Sequence, residues 1–161
     1  MIALANEATD IVYPNQRASP RLKNGSENPW ECCVVQSLMY VLQNFCAPST
    51  LYGIDVIHSW ISANNYYVYS TQYGMWGANN PAVFNHFLEG GYINKNALLP
   101  KTSTGSSQYL ITLTGPPAHV VVFTGSNSGV INYYDPQNSC NGQCSINDIA
   151  DVYKTTGYND L

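Results

Sequence analysis

Two adjacent cysteines, one histidine and one aspartate have the types and the chain order of a thiol-based nucleophilic site. Cys32 and Cys33 come first, His119 follows much later, and Asp135 comes after that. A thiol becomes a strong nucleophile where an imidazolium and the positive end of a helix stabilise its thiolate. A carboxylate that holds the imidazole completes the set. The order therefore predicts covalent catalysis, with cysteine as nucleophile, histidine as base and aspartate as the group that orients it.

The nucleophile needs a helix, and the sequence provides one directly after the cysteine pair. Apolar residues recur there with the spacing of one helical face, and the pattern runs to about Cys46, before Ala47-Pro48 ends it. One cysteine of the pair therefore stands where the helix begins. The apolar positions are Val35, Leu38, Met39, Leu42 and Phe45.

Two further helices are predicted before the strands. Residues 50–63 favour one helix, and Asn80-Pro81 opens another that runs through AVFNHFLEGG and ends with Gly90 as its C-cap. Between them, the aromatic-rich stretch 66–76 either lines a substrate groove or covers the core.

The histidine and the aspartate belong to a run of short strands. Apolar runs at Tyr109–Thr114, His119–Thr124 and Val130–Tyr134 end in turn residues, which predicts an antiparallel meander. In a meander, the start of one strand lies beside the end of the next, so His119 and Asp135 fall at the same sheet edge. The predicted class is α+β, with N-terminal helices packed on a C-terminal antiparallel sheet.

Composition limits what this protein binds. The 161 residues favour one domain, in which residues 1–27 form an irregular N-terminal arm. A net charge of −4, with 10% charged residues, argues against a nucleic-acid partner. No stretch has the length of a membrane span or the pattern of a signal peptide, and the proposed chemistry requires no cofactor.

The remaining cysteines and histidines give no metal site. An odd count of five cysteines rules out complete pairing within one chain. Cys140 and Cys144 would bridge a short loop beside the site in an oxidising compartment, but their spacing relative to the Cys32–Cys33 pair suits zinc poorly. His58 and His86 lie in predicted helices without ligands at suitable spacing, and we interpret both as structural.

Several segments resemble papain-like cysteine peptidases, and most closely the branch that processes bacteriocin leaders at a double glycine. The helix QSLMYVLQNF (36–45) is similar to that branch's nucleophile helix. The stretch HVVVFTG (119–125) resembles its histidine strand, and VINYYDP (130–136) resembles its strand ending in Asp-Pro. The predicted helix at 80–91 also has a counterpart. The resemblance covers residues 28–136 in separate segments.

The resemblance implies a papain-like fold and a choice of nucleophile. Counted from Cys33, the apolar positions of the helix match those of the family, whereas Glu31 before Cys32 matches the acidic residue that often precedes the nucleophile. The helix register involves more residues, so we favour Cys33. Catalytic roles then fall to Cys33, His119 and Asp135.

The sequence departs from the family around the nucleophile. Val34 follows Cys33 where the family has glycine, and Glu27 stands where the family has the glutamine that donates to the oxyanion. Asn28 is the nearest amide donor. It has two interpretations of equal weight, oxyanion donor or N-cap of a helix that begins at Pro29.

The resemblance further implies a peptidase that cuts proteins after small residues such as Gly-Gly. It also suggests a bacterial toxin or effector domain, secreted or delivered into a target cell, with an immunity protein as partner. Three alternatives remain at this point: a cell-wall amidase, a protein deamidase with the same triad, and a catalytically degenerate binding module.

Overall fold

The change from helical to strand-like patterning along the sequence is present in the computed structural model, which describes residues 32–70, 72 and 75–161. Three helices come first in this part of the chain, a hairpin and a fourth helix follow, and antiparallel strands make up most of the rest. The helices are α1 (Cys33–Asn44), the single turn α2 (Ser49–Tyr52), α3 (Ile54–Ala63) and α4 (Asn80–Phe87).

Among the described residues, the main sheet has the six strands β3 (Leu88–Ile93), β4 (Gln108–Leu113), β5 (His119–Asn127), β6 (Val130–Asp135), β7 (Cys140–Ser145) and β8 (Ile149–Tyr158). Their order in the sheet is β3-β8-β4-β5-β6-β7, and every neighbouring pair is antiparallel. The predicted meander is confirmed as β4-β5-β6, whereas β3, β7 and β8 were not predicted. A separate hairpin joins β1 (Tyr67–Ser70) to β2 (Met75–Ala78).

Apolar side chains form a cluster on each face of the sheet. On one face, Val120 and Val122 of β5 pack with the helices. On the other, Val121 and Phe123 pack with Leu98 from a short 3-10 turn. This alternation along β5 is what a strand covered on both faces requires. The described residues therefore form an α+β arrangement with helices packed on a largely antiparallel sheet.

The first helix follows its predicted periodicity but begins later than Pro29. Cys32 is the N-cap in an extended conformation, and Cys33 is the first helical residue. The alternative in which Asn28 caps this helix is therefore wrong, and Asn28 itself lies outside the described residues. The helix ends at Asn44, and Cys46 follows in the left-handed region with φ 59°.

The prediction that α4 extends to a glycine C-cap is also wrong. The helix ends at Phe87, and the LEGGYI segment is strand β3, paired with β8. A Cβ on Gly90 would collide with the backbone of Lys154 and Thr155, and the register shifts between Glu89 and Gly90. Gly90 therefore allows β3 and β8 to approach closely at a bulge, and it does not terminate a helix.

Candidate active site

Cys33 lies at the junction between α1 and β5. It is the first residue of the helix, and its Sγ accepts a hydrogen bond from the Val120 backbone N–H at 3.4 Å. The side chain is largely buried but 9% exposed, whereas Cys32 is fully buried. Cys33 thus lies at the positive end of a helix and, unlike Cys32, retains a small exposed fraction.

A second contact holds the same helix to the same strand. Ser37, one turn after Cys33, donates from Oγ to the Val120 carbonyl at 2.9 Å. β5 pairs with β6 from Val122, opposite Tyr134, to Asn127, opposite Val130. Val120 therefore lies beyond the part of β5 that pairs with β6. Both polar backbone groups of Val120 therefore bond to α1 at the point where β6 has ended, and this fixes Cys33 against the sheet edge.

His119 and Asp135 meet at that edge, as the meander predicted. His119 begins β5, Asp135 ends β6, and Nε2 of the ring lies 2.8 Å from Oδ2 of the carboxylate. The carboxylate is buried and the imidazole is about one-quarter exposed. With Nε2 bound to Asp135, Nδ1 is the ring nitrogen left for a hydrogen bond to Cys33, an interaction that also bears on the histidine's pKa.

The electrostatics of the pair favour an imidazolium beside a carboxylate. Burial alone lowers the pKa of His119, but hydrogen bonds to Asp135 and Cys33 and their negative charges outweigh it and raise the pKa from 6.5 to about 10. Burial likewise opposes ionisation of Asp135, yet hydrogen bonds from His119 and Asn138 hold its pKa below the usual value. His119 is therefore protonated at neutral pH.

The neighbouring thiol has a different environment. Burial raises the pKa of Cys32 to about 11, and the backbone N–H groups of Val35 and Val34 offset this only in part. A buried thiol that stays protonated is a poor nucleophile. The geometry thus brings Cys33, His119 and Asp135 together and leaves Cys32 in the core.

The bridge that Cys140 and Cys144 would form in an oxidising compartment is not present. Both lie on β7 and neither is bonded to another cysteine. Residues four apart on a strand have Cα atoms about 13 Å apart, beyond the roughly 7 Å limit for a disulfide. The segment is a strand rather than a loop, and it pairs with β6 directly beside Asp135.

The two remaining histidines each pack against an aromatic side chain. His58 is buried in α3, where Nδ1 lies 2.9 Å from the Tyr67 hydroxyl and burial lowers its pKa to about 4. His86 stacks on Trp60 with ring centroids 3.9 Å apart. Within the described ranges, no group of three His, Cys, Asp or Glu side chains is placed to hold a metal ion.

The aromatic stretch is described in part. Tyr66 and Tyr67 pack against the helix-side core, which supports the core-covering interpretation for these two residues. Residues 71, 73 and 74 lie outside the described part of the chain.

Sequence reasoning missed one contact of the carboxylate. Asn138 bonds to both oxygens of Asp135, through its side chain and its backbone. The signal was present as Asp-Pro-Gln-Asn, because aspartate followed by proline favours a turn whose fourth residue lies near the aspartate carboxylate.

No protein-family model matches this chain, and neither a curated protein nor a solved structure matches it. None of the described helices has the length and apolar character that a membrane crossing requires.

Proposed function

We propose that this chain is a cysteine peptidase with a papain-like fold and a Cys33-His119-Asp135 triad. The observation that carries the proposal is the single junction at which a helix-start thiol, an imidazole and a buried carboxylate meet. The sequence resemblance across residues 28–136 supports the same class. A thiol, a histidine and an orienting carboxylate are the groups that acyl transfer through a thioester requires.

In the proposed reaction, the Cys33 thiolate attacks a peptide carbonyl carbon and forms a tetrahedral intermediate. His119, already protonated, donates its proton to the leaving amine as the C–N bond breaks, which leaves a thioester on Cys33. The neutral imidazole then accepts a proton from water, and the resulting hydroxide attacks the thioester. The second tetrahedral intermediate collapses as the C–S bond breaks, which releases the acid product and regenerates the Cys33 thiolate beside a protonated His119.

The oxyanion of each intermediate needs hydrogen-bond donors. The first backbone N–H groups of a helix have no intrahelical acceptor, so the N–H of Cys33 is well placed to serve as one donor. Asn28 remains our candidate for a second donor. Asp135 holds the ring of His119 in one tautomer and stabilises its positive charge.

The finer proposals follow from the resemblance to the double-glycine branch. We expect cleavage after small residues such as Gly-Gly, in a protein or peptide substrate. A role as a bacterial toxin or effector domain, with an immunity protein as its inhibitor, belongs to the same proposal.

The decisive experiment incubates a cell extract with the protein and sequences the new protein N-termini. Wild type and Cys32→Ala are expected to generate the same termini, whereas Cys33→Ala and His119→Ala generate none. Cys32→Ala is the matched control because it removes the adjacent thiol. Cleavage that survives Cys33→Ala and disappears in Cys32→Ala would reverse the assignment.

The alternative activities give distinct products. Ammonia release without chain cleavage would indicate a deamidase, and soluble fragments from purified peptidoglycan would indicate a cell-wall amidase. A binding module predicts slow alkylation of Cys33 by iodoacetamide. We expect fast alkylation that His119→Ala abolishes, measured with Cys46, Cys140 and Cys144 replaced by serine so that these thiols do not contribute.

A further inference from the structure

Asn138 lies in the turn between β6 and β7 and bonds to both oxygens of Asp135. Its side-chain Nδ2 donates to Oδ2 at 2.6 Å, and its backbone N–H donates to Oδ1 at 3.2 Å. His119 meets the same Oδ2 at 2.8 Å. The carboxylate therefore has partners on both oxygens, and two of the hydrogen bonds just described come from one residue.

The two bonds from Asn138 have different consequences. The backbone bond closes the Asp-Pro-Gln-Asn turn, and any residue other than proline could supply it. The amide bond reaches the oxygen that also faces His119, and turn closure does not require it. An amide donor on a carboxylate stabilises its charged form and limits its rotation. The side chain thus acts on the part of Asp135 that contacts the imidazole.

We propose that Asn138 is a positioning residue that holds the Asp135 carboxylate in a fixed orientation toward His119. Its importance for catalysis rests on the peptidase proposal, but its effect on the His119–Asp135 pair does not. The burial of the carboxylate strengthens the point, because a buried charge with too few donors is costly. With Pro136 limiting the backbone at the next position, the turn and the amide together fix the carboxylate.

The test follows Asp135 through the ring resonances of His119 in histidine-labelled protein titrated by NMR, with His119→Gln used for assignment. Protonation of the Asp135 carboxylate appears as an inflection at acid pH in the plot of the His119 ring resonances against pH. Asn138→Ala removes the amide donor and keeps the backbone N–H, so this inflection is expected to move up by about one pH unit. Asn138→Asp places a second carboxylate there and is expected to move it further up.

Asn141→Ala is the matched control, because Asn141 is an exposed asparagine on the adjacent strand β7. Its inflection is expected to match wild type. If Asn138→Ala does not fold, Asn138→Ser replaces it, since serine suits the turn but is too short to restore the amide bond. An inflection unchanged in Asn138→Ala or Asn138→Ser would overturn the proposal and reduce Asn138 to a turn residue.

The same variants separate this inference from the proposed function. If the inflection moves but wild type cleaves no protein, Asn138 positions Asp135 and the peptidase proposal fails. If wild type cleaves protein and the inflection does not move, the peptidase proposal stands and the role of Asn138 fails.

Discussion

At the residue scale, the side chains of the adjacent residues Cys32 and Cys33 have different environments. The backbone at Cys32 is extended and the thiol is fully buried, whereas the helix begins at Cys33 and directs Sγ toward the Val120 N–H. Helical periodicity in the sequence favoured Cys33, because the register sets which face each side chain occupies. The sequence suggested a partly buried Cys32, and its complete burial depends on the packing of α1 against the sheet.

The His119–Asp135 pair gives folding stability a defined pH dependence. The pKa of His119 is raised to about 10, so its contribution is complete below 6.5 and fades as pH rises through about 10. The lowered pKa of Asp135 means that its contribution is complete above 3.8 and is lost as pH falls through the lowered value. The pair therefore stabilises the fold fully between these two ordinary values.

Replacing His119 with glutamine should reproduce this pH dependence as a difference in unfolding free energy. We expect a loss of about 2 kcal/mol near pH 6, as for a hydrogen bond to a charged group, that shrinks as pH approaches 10. Urea unfolding at several pH values measures it. His86→Gln is the control, because burial lowers the pKa of His86 and its effect should not fade over that range. A loss for His119→Gln that stays constant up to pH 10 would contradict the assignment.

At the element scale, the contact between α1 and β5 positions Cys33, the proposed nucleophile. The sequence predicted both elements closely, because α1 has clear helical periodicity and β5 a continuous apolar run. It also predicted the shared edge of His119 and Asp135 from strand order alone. It did not predict that β6 ends early enough for Ser37 to bond to the Val120 carbonyl, since strand pairing depends on residues far apart in the chain.

Ser37→Ala tests this contact. Loss of the hydroxyl leaves the buried Val120 carbonyl without that donor, so we expect a loss of about 1 kcal/mol in unfolding free energy. We also expect slower alkylation of Cys33 by iodoacetamide, because the helix start is held less firmly. Ser62→Ala is the control: the Ser62 hydroxyl is also buried on a helix but has no hydrogen-bond partner among the described residues. Equal effects of the two substitutions would show that the contact does not position Cys33.

Two strands that were not predicted from the sequence, β7 and β3, form for the same physical reason. β7 contains Asn, Gly and Gln between its cysteines, a composition typical of loops, and it becomes a strand by pairing with β6. In β3, the pair Gly90-Gly91 suggested a helix cap, whereas Gly90 allows close approach to Lys154 of β8. Partners supplied from distant positions overrode the local signal in both cases.

At the scale of the whole molecule, the residue that follows β8 supplies side-chain donors to the C-terminal carbonyls of α4. Asn159 follows β8, and its Nδ2 lies within hydrogen-bond distance of the Asn85, His86 and Leu88 carbonyls, at 3.0–3.1 Å. Its backbone N–H donates to the Phe87 carbonyl at 2.9 Å. The last carbonyls of a helix need such donors. The sequence suggested Gly90 for this role because a cap from more than 70 residues away leaves no local pattern.

We therefore expect Asn159→Ala to lower the unfolding free energy of the whole fold and not only to loosen the segment that follows β8. The carbonyl of Asn159 also accepts from the Tyr52 hydroxyl, so this residue joins α2, α4 and the end of β8. We expect a loss of about 2 kcal/mol in unfolding free energy, measured by urea denaturation, because the partly buried carbonyls of His86 and Leu88 lose their side-chain donor together. Asn64→Ala is the matched control, since Asn64 donates one exposed bond to the Trp60 carbonyl within its own helix end. Its expected loss is below about 0.5 kcal/mol. Similar losses for the two variants would mean that Asn159 is only a surface residue and that α4 ends without help from β8.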